Sequence, residues 1–351
     1  MPCFHLNCMI KSDIAIVILN WNGRKFLEQF LPSVITYSDD AKIIVADNCS
    51  TDDSVSFLKN NYPGIQLIEL ESNTGFTGGY NKALKQITAD FYVLLNSDVE
   101  VGEGWIQPII DLMRDDKSIA ACQPKIRSFQ QKEIFEHAGA SGGFIDYLGY
   151  PFCRGRVYNN LENDEEQYNE AREIFWATGA CMFIRSKVFH EMHGFDTDFF
   201  AHMEEIDLCW RMKRAGYKIM VEPKSIVYHV GGGTLPKTNP RKTYFNFRNN
   251  LMMLHKNEIA PRVWWILLIR LFLDCLAAIK FLIEGHPADC KAVMKAHLYF
   301  YKNFLRRQKL RILSNPDKDQ KLNCVYQKNI VLAHYIFAVK KFSDLDHNKF
   351  S

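Results

Sequence analysis

The sequence predicts an α/β fold, a mainly parallel sheet with helices on both faces, followed by a helical C-terminal extension. Three observations predict it. Short β-rich runs alternate with helical stretches from Asp13 to about Cys122. Polar residues and glycines gather after those runs rather than before them. From Arg241 onward the short runs give way to long helical segments. Strand–helix alternation requires crossover helices, and these cover both faces of a parallel sheet. The chain divides accordingly into a tail at 1–12, a main domain at 13–238 with halves at 13–122 and 123–238, and a helical region at 239–351.

Taken in order, Ile14–Leu19, Lys42–Ala46, Gln66–Leu70 and Phe91–Leu95 read as strands. Each is a compact run of Ile, Val, Leu or aromatics bounded by polar or turn residues. Arg24–Tyr37, Asp52–Tyr62 and Gly78–Ile87 have helical period, and Ser50 or Thr51 can cap the second. Residues 125–170 are irregular. Ala138–Gly155 reads as a β-hairpin or a long loop, and Glu162–Glu170 as a charged spacer. Phe175–Ile184 reads as a strand interrupted by Thr178-Gly179, and Glu204–Ala215 as a helix. Lys218–Val221 and Ser225–His229 read as two short strands.

Composition is globular, with 47% hydrophobic and 24% charged residues, and a net charge of +3 gives no case for a nucleic-acid partner. Ten cysteines occur without a CxxC pair, and Cys122, Cys181 and Cys209 sit in apolar runs. That pattern predicts buried free thiols in a reducing cytoplasm rather than a disulfide framework or a zinc site. No signal-peptide pattern opens the chain, and Met9 is as good a start as Met1.

Ligands of open α/β sheets bind beyond the carboxyl ends of the strands. Four successive strand ends here carry Asn20-Trp21-Asn22-Gly23, Asp47-Asn48-Cys49-Ser50-Thr51-Asp52, Asn73-Thr74-Gly75-Phe76 and Asn96-Ser97-Asp98. Each alone is an ordinary turn; together they outline a polar crevice. Asp98, fixed at the end of a buried strand, is the kind of hard oxygen donor a divalent cation needs. Asp47 is suited to the edge of a nucleobase, with Asn20 or Asn22 reaching the same nucleotide, whereas Asn48, Ser50 and Asp52 have helix capping as their competing role. Gly75, Gly78 and Gly79, within Asn73–Asn81, allow backbone to approach a diphosphate or sugar, although glycine clusters are commonly just loops. Neither G-x-G-x-x-G nor G-x-x-x-x-G-K-[ST] occurs.

A second focus is Phe199–Arg211, where three carboxylates open a helix whose dipole favours anions. Asp207 and Arg211, spaced i,i+4, read as a structural ion pair. Glu204 and Glu205 are left without an obvious partner, so either can serve as a general base, or both are solvated end charges. His229 ends a strand before Gly231-Gly232-Gly233 and is a candidate metal ligand opposite Asp98. Trp176 with Thr178-Gly179 reads as a sugar or acceptor floor, or Trp176 as core.

These segments, over roughly residues 13–235, resemble the family 2 inverting glycosyltransferases, and among them the rhamnosyltransferase-like bacterial enzymes of surface polysaccharide synthesis. The resemblance implies a GT-A fold, a Rossmann-like, mostly parallel mixed sheet. It further implies a Mg or Mn ion and a single displacement that inverts the anomeric centre of a nucleoside-diphosphate-sugar of UDP or dTDP type. By the same resemblance Asp47 holds the donor base, Asp98 of a DxD-like motif and His229 hold the metal, and Glu205 is the base with Glu204 in reserve. Asn20, Asn22, Asn48, Gly75, Asn81, Asn96 and Ser97 line the donor. Two positions depart from the pattern. Asn96 replaces the first Asp of DxD and removes one charge, and Glu205 stands where Asp is usual. The acceptor is expected to be a carbohydrate or a lipid-linked oligosaccharide. A nucleotidyltransferase is the enzymatic rival, but Asn20–Gly23 lacks its basic phosphate loop; a decayed carbohydrate-binding scaffold is the non-enzymatic one.

Val263–Ile283 is nearly apolar and about long enough to span a bilayer, yet it contains Arg270, Asp274 and Lys280. With a basic segment at 302–311, an interfacial helix is the first reading. A helix packed on its own domain or in a homo-oligomer comes next, and a transmembrane span third. The expected location is cytoplasmic, peripheral at the inner face of the cell membrane through 263–311.

Overall fold

The computed structural model describes residues 14–38, 41–231, 239–314 and 322–351, with side chains of 312–314 excepted. The tail at 1–12, Gly232 and Gly233 therefore lie outside the described residues.

The donor-side half runs β1 (Ile14–Asn20), α1 (Arg24–Thr36), β2 (Lys42–Asp47), α2 (Ser54–Asn61), β3 (Gln66–Glu69), α3 (Gly75–Leu84) and β4 (Phe91–Asn96), as the sequence alternation predicts. It continues with β5 (Val99–Val101), α4 (Gln107–Asp115) and β6 (Ile119–Ser128), which no sequence pattern singled out. Four short strands follow, β7 (Gly143–Asp146), β8 (Pro151–Cys153), β9 (Arg156–Val157) and β10 (Asn160–Leu161). Then come β11 (Arg172–Ile174), β12 (Cys181–Arg185), α5 (Ser186–Glu191), α6 (Glu204–Arg214) and β13 (Lys218–His229). The C-terminal part comprises α7 (Pro240–Asn257), α8 (Arg262–Ile283), α9 (Pro287–Lys302), α10 (Phe304–Ser314), β14 (Val325–Tyr326) and α11 (Ile330–Tyr335).

The main sheet has nine strands in the order β11-β13-β6-β12-β4-β1-β2-β3, with β5 on β13. β1, β2, β3, β4, β6 and β13 run one way and β5, β11 and β12 the other, so the sheet is mixed and mostly parallel. Both faces are covered, which explains the continuous apolar runs. Ala15 and Val17 enter one core while Ile14, Ile16 and Ile18 enter the other; β4 alternates likewise, Tyr92 and Leu94 against Phe91, Val93 and Leu95.

Two sequence expectations change. Phe175–Ile184 is not one interrupted strand, because β11 is the edge strand, paired with β13, while β12 lies between β6 and β4, so residues 175–180 cross between them. The two short strands at 218–229 are a single strand, β13, with a register shift between Glu222 and Ile226. The hairpin read at 138–155 is β7–β8, part of a second sheet ordered β10-β9-β8-β7-β14. Its last strand comes from the C-terminal region, which is helical to 314 and then returns to this sheet. Among the described residues eight cysteines are free thiols; Cys122, Cys181 and Cys209 are buried and Cys49 and Cys275 exposed.

Candidate active site

The register of the sheet gathers the candidate residues at one edge. Asn20 stands opposite Asp47, and Leu19 opposite Asn96, at the carboxyl ends of β1, β2 and β4. β12 is antiparallel to β4, so the 177–180 crossing enters at the same end, and the Asn96 backbone N–H donates to the Ala180 carbonyl at 2.9 Å. At the end of β13, His229 pairs with Val99, which brings it beside Asp98. Underneath, the Ala177 N–H reaches Cys209 Sγ of α6 at 3.5 Å, so α6 packs against that crossing through its second turn.

On the donor side, Asn20 and Asp47 are buried and joined: Asn20 Nδ2 donates to Asp47 Oδ1 at 2.9 Å, and Ser50 Oγ and N–H donate to the same carboxylate at 2.6 and 2.8 Å. Asn20 Oδ1 is buried and keeps an unmet acceptor. Other predicted donor residues use their side chains on the protein itself. Asn22 Oδ1 accepts from the Thr51 N–H at 2.7 Å, locking the two loops together. Asn48 Nδ2 donates to the Gly75 carbonyl at 3.0 Å. Asn81 exchanges two hydrogen bonds with the Phe195 backbone, at 2.8 and 3.0 Å. Gly75 has φ +73°, and a Cβ there would lie 2.6 Å from the Phe200 carbonyl oxygen. At Gly78 and Gly79 the missing Cβ space is taken by Thr74 and Leu19. These glycines thus let α3 pack tightly against the protein's own loops. Asn96 and Ser97 are half-buried at the rim.

Asp98 and His229 form a buried pair at this edge. His229 Nε2 lies 3.1 Å from Asp98 Oδ1, and its Nδ1 lies 3.2 Å from Glu136 Oε2. Burial alone disfavours an imidazolium there, but the Asp98 and Glu136 carboxylates outweigh it and hold His229 at about 10. Glu136, raised by burial, is brought down by His229 to about 2. A carboxylate behind one ring nitrogen, leaving the other to face an acidic oxygen, is the arrangement that orients a metal-ligating histidine. Among the described residues no group of three His, Cys, Asp or Glu can hold a metal ion. Asp98 and His229 are therefore two ligands at most. That fits Mg or Mn, which keep water and take phosphate oxygens as remaining ligands.

At the start of α6, burial raises both carboxyls. Glu204, further raised by Glu205, is held well above the usual carboxylate range, whereas Glu205 reaches about 7. Two adjacent acids with separated affinities for protons can divide roles, the lower of the two ionising first. One oxygen of each is buried without a hydrogen-bond partner. The loop before them is strained, since Phe200, His202 and Met203 all have positive φ, at +66°, +70° and +72°. α7 pins it. Asn249 Nδ2 donates to the carbonyls of Phe199, Ala201 and His202 at 3.0, 2.8 and 2.7 Å, and Arg248 donates to that of Phe199 at 2.8 Å.

Asp207 does what its i,i+4 spacing predicts, and more. It pairs with Arg211 at 2.9 Å and Lys256 at 3.0 Å and accepts from Asn257 Nδ2 at 2.8 Å, tying α6 to α7. Against full burial, these cations hold its carboxyl at about 2. Asp207→Ala is expected to cost about 3–5 kcal/mol by leaving buried cations unpaired, measurable by urea unfolding. The carboxylate's contribution is complete above its ordinary value of 3.8 and is lost as pH falls through about 2.

Trp176 is core rather than floor. It is 4% exposed, lies against Gly143 and donates Nε1–H to the Phe144 carbonyl at 3.0 Å. Thr178 and Gly179 are buried as well, and the Thr178 backbone N–H donates to Gln123 Oε1 at 3.0 Å. Sequence reasoning missed Glu136, Arg248 and Asn249. Glu136 lies in the segment read as irregular, and the other two lie in the long helical stretch after Arg241, where the sequence singles out no residue before Val263.

Comparison with known proteins bears on the family and the fold. The profile of glycosyl transferase family 2 matches residues 15–192. The N-acetylglucosaminyl-diphospho-decaprenol L-rhamnosyltransferase of Mycobacterium tuberculosis is 25% identical over 62% of this chain and 75% of its own length. Rhamnosyltransferase WbbL of Escherichia coli K12 is 22% identical over 62% and 83%. Among solved structures, GalNAc-T7 with UDP, GalNAc and Mn2+ superposes with a TM-score of 0.55 at 15% identity, over 70% of this chain and 48% of that one. Mannosyltransferase PcManGT of Pyrobaculum calidifontis, with GDP-Man and Mn2+, gives 0.50 at 13% identity over 88% and 86%. The sheet order, the polar carboxyl edge and the matched profile lead to one assignment: this chain is a GT-A-fold glycosyltransferase and belongs to glycosyl transferase family 2.

Proposed function

We propose that this glycosyltransferase moves a hexosyl or rhamnosyl group from a UDP- or dTDP-sugar to a hydroxyl of a carbohydrate or lipid-linked acceptor, with inversion. The observation that carries the reading is the pair of carboxyls opening α6, each with a buried unpartnered oxygen, on a helix packed against the 177–180 crossing at the sheet edge that holds Asp98 and His229. Asp47, steadied by Asn20 and Ser50, serves the donor base. Glu205 takes the proton of the acceptor hydroxyl. That oxygen bonds to the anomeric carbon on the face opposite the diphosphate, and the carbon–oxygen bond to the diphosphate breaks, its electron pair leaving with the diphosphate. Asp98 and His229 would hold a divalent cation, with Glu136 orienting the imidazole. Such a cation neutralises charge on a departing diphosphate. Asn96 in place of an acid leaves Asp98 the only carboxylate of its motif. A lipid-linked acceptor, the substrate type named for the mycobacterial relative, implies work at the inner face of a membrane, peripherally attached.

A panel of nucleotide sugars, read by release of free nucleoside diphosphate with and without Mn, tests this. A UDP- or dTDP-sugar is expected to be turned over with cation stimulation, and acceptor to raise the rate further. No cation-stimulated release from any member of the panel would sink the proposal in favour of a decayed scaffold.

A further inference from the structure

We infer that the outer face of the α8–α9 hairpin, together with the Tyr335–Phe337 tip, is the surface by which this protein lies on an anionic lipid bilayer. The inference gives residues to the peripheral attachment proposed above and rests on that part of the reading.

α8 has two opposed faces. Inward, Val263, Ile266, Leu267, Arg270, Asp274 and Ala278 are buried at helical spacing. The charges among them are satisfied within the protein. The Arg270 guanidinium lies 3.8 Å from the Tyr150 ring centroid, pairs with Asp274 at 3.4 Å and donates to Asn250 Oδ1. Asp274 also meets His297 of α9 at 3.0 Å and the Tyr150 hydroxyl at 3.3 Å. This network joins the β7–β8 turn, α7, α8 and α9, and it fixes the roll of α8. The helix cannot leave the protein without unpairing two buried charges. No described helix is long and apolar enough to cross a membrane.

Outward, Trp265, Leu268, Phe272, Leu276, Ile279 and Ile283 form an exposed stripe, with Trp265 at 67%, Phe272 at 65% and Ile283 at 81%. At 1.5 Å per residue the stripe runs about 27 Å. Met294 and Leu298 extend exposed apolar surface onto α9. Tyr335, 5.9 Å from Lys280 Nζ, brings the exposed Ile336 and Phe337 beside the end of α8. A large contiguous apolar face of this kind marks an interaction site.

Charge selects the occupant. Residues 262–311 hold ten Lys and Arg against three Asp and Glu, in a chain whose net charge is only +3, so the remainder is net acidic. Lys291, Lys295, Lys302 and Lys309 are exposed and have no ion-pair partner among the described residues. A two-fold contact with a second copy would set these like charges face to face. Anionic headgroups meet them with opposite charge while Trp, Phe and Leu enter the headgroup–acyl boundary.

The test is flotation of the full chain with phosphatidylcholine vesicles and with vesicles that also contain phosphatidylglycerol. Binding is expected to favour the anionic vesicles and to fall with added salt. Trp265→Ser combined with Phe272→Ser should lower the bound fraction by about tenfold or more, with an unchanged circular dichroism spectrum. Replacing Lys291, Lys295 and Lys302 by Ser should abolish the preference for anionic vesicles. Wild-type binding by the Trp265→Ser/Phe272→Ser protein, or no wild-type binding to anionic vesicles, overturns the inference. So does a wild-type dimer that those two substitutions turn into a monomer, which would assign the face to a second copy. Nucleoside-diphosphate release measured in parallel keeps the readings separate: release without vesicle binding defeats only the lipid surface, and vesicle binding without release defeats only the proposed chemistry.

Discussion

Glu205→Gln is expected to bind donor within a few-fold of wild type while transfer falls by about 100- to 10,000-fold, the range for loss of a general base. Glutamine preserves the shape and the neutral hydrogen bonding of a buried carboxyl, so the strained turn from Phe200 to Met203 and its clamp by Asn249 should survive. What disappears is the capacity to accept a proton. Burial brings the Glu205 carboxyl to about 7, so the wild-type rate should rise with pH and level off above that value, because only the ionised form is a base. The variant should lack that rising limb. Glu204→Gln makes the contrast. Burial and the neighbouring Glu205 hold the Glu204 carboxyl well above the ordinary carboxylate range, so its amide should retain most activity and the same limb. Wild-type transfer by Glu205→Gln, or collapse in Glu204→Gln alone, would move the base to Glu204.

The parts of this site legible in the sequence are those that end strands. Asp47 and His229 each close a strand, where the sheet register fixes their position, and Asp98 follows β4 in the two-residue turn before β5. Amide and glycine residues in the loops were harder to read. Asn22, Asn48 and Asn81 have the same composition whether they face a ligand or stitch loops together, and their side chains hold neighbouring backbone. Gly75, Gly78 and Gly79 signal close approach, but the approaching atoms belong to Phe200, Thr74 and Leu19. Trp176 follows a strand and reads equally as platform or core; the Phe144 carbonyl that takes its N–H comes from a hairpin with no sequence link to it. Glu136 escaped because nothing local connects an irregular segment to a histidine at the end of β13. The same holds for Arg248 and Asn249, whose roles depend on α7 crossing a loop that lies far earlier in the chain.

Asp98→Ala is expected to lower transfer by about 1,000-fold or more and to abolish cation stimulation with it, since the one carboxylate of its motif is removed from a site built to hold charge. Two structural roles of Asp98 must be separated. Besides its proposed place as a cation ligand, it pairs with His229 at 3.1 Å, and its loss leaves that imidazole with only Glu136 at 3.2 Å. Asp98→Asn separates them. The asparagine Oδ1 still accepts from His229 Nε2, so the pair and the end of β13 should persist and the thermal midpoint should stay close to wild type. The charge, however, is gone, and Asn96 cannot replace it. If the cation role is right, Asp98→Asn should be almost as impaired as Asp98→Ala and should bind Mn2+ at least about tenfold more weakly by electron paramagnetic resonance, a readout independent of turnover. If it transfers sugar at the wild-type rate with undiminished Mn2+ binding, Asp98 is a structural partner of His229 and the cation is held elsewhere. His229→Gln probes the pair from the other side. The amide can still donate a hydrogen bond to Asp98 but lacks the imidazole nitrogen lone pair that a divalent cation would take. Weakened Mn2+ binding in both single variants, with no further loss when they are combined, is the outcome expected of two ligands acting on one ion.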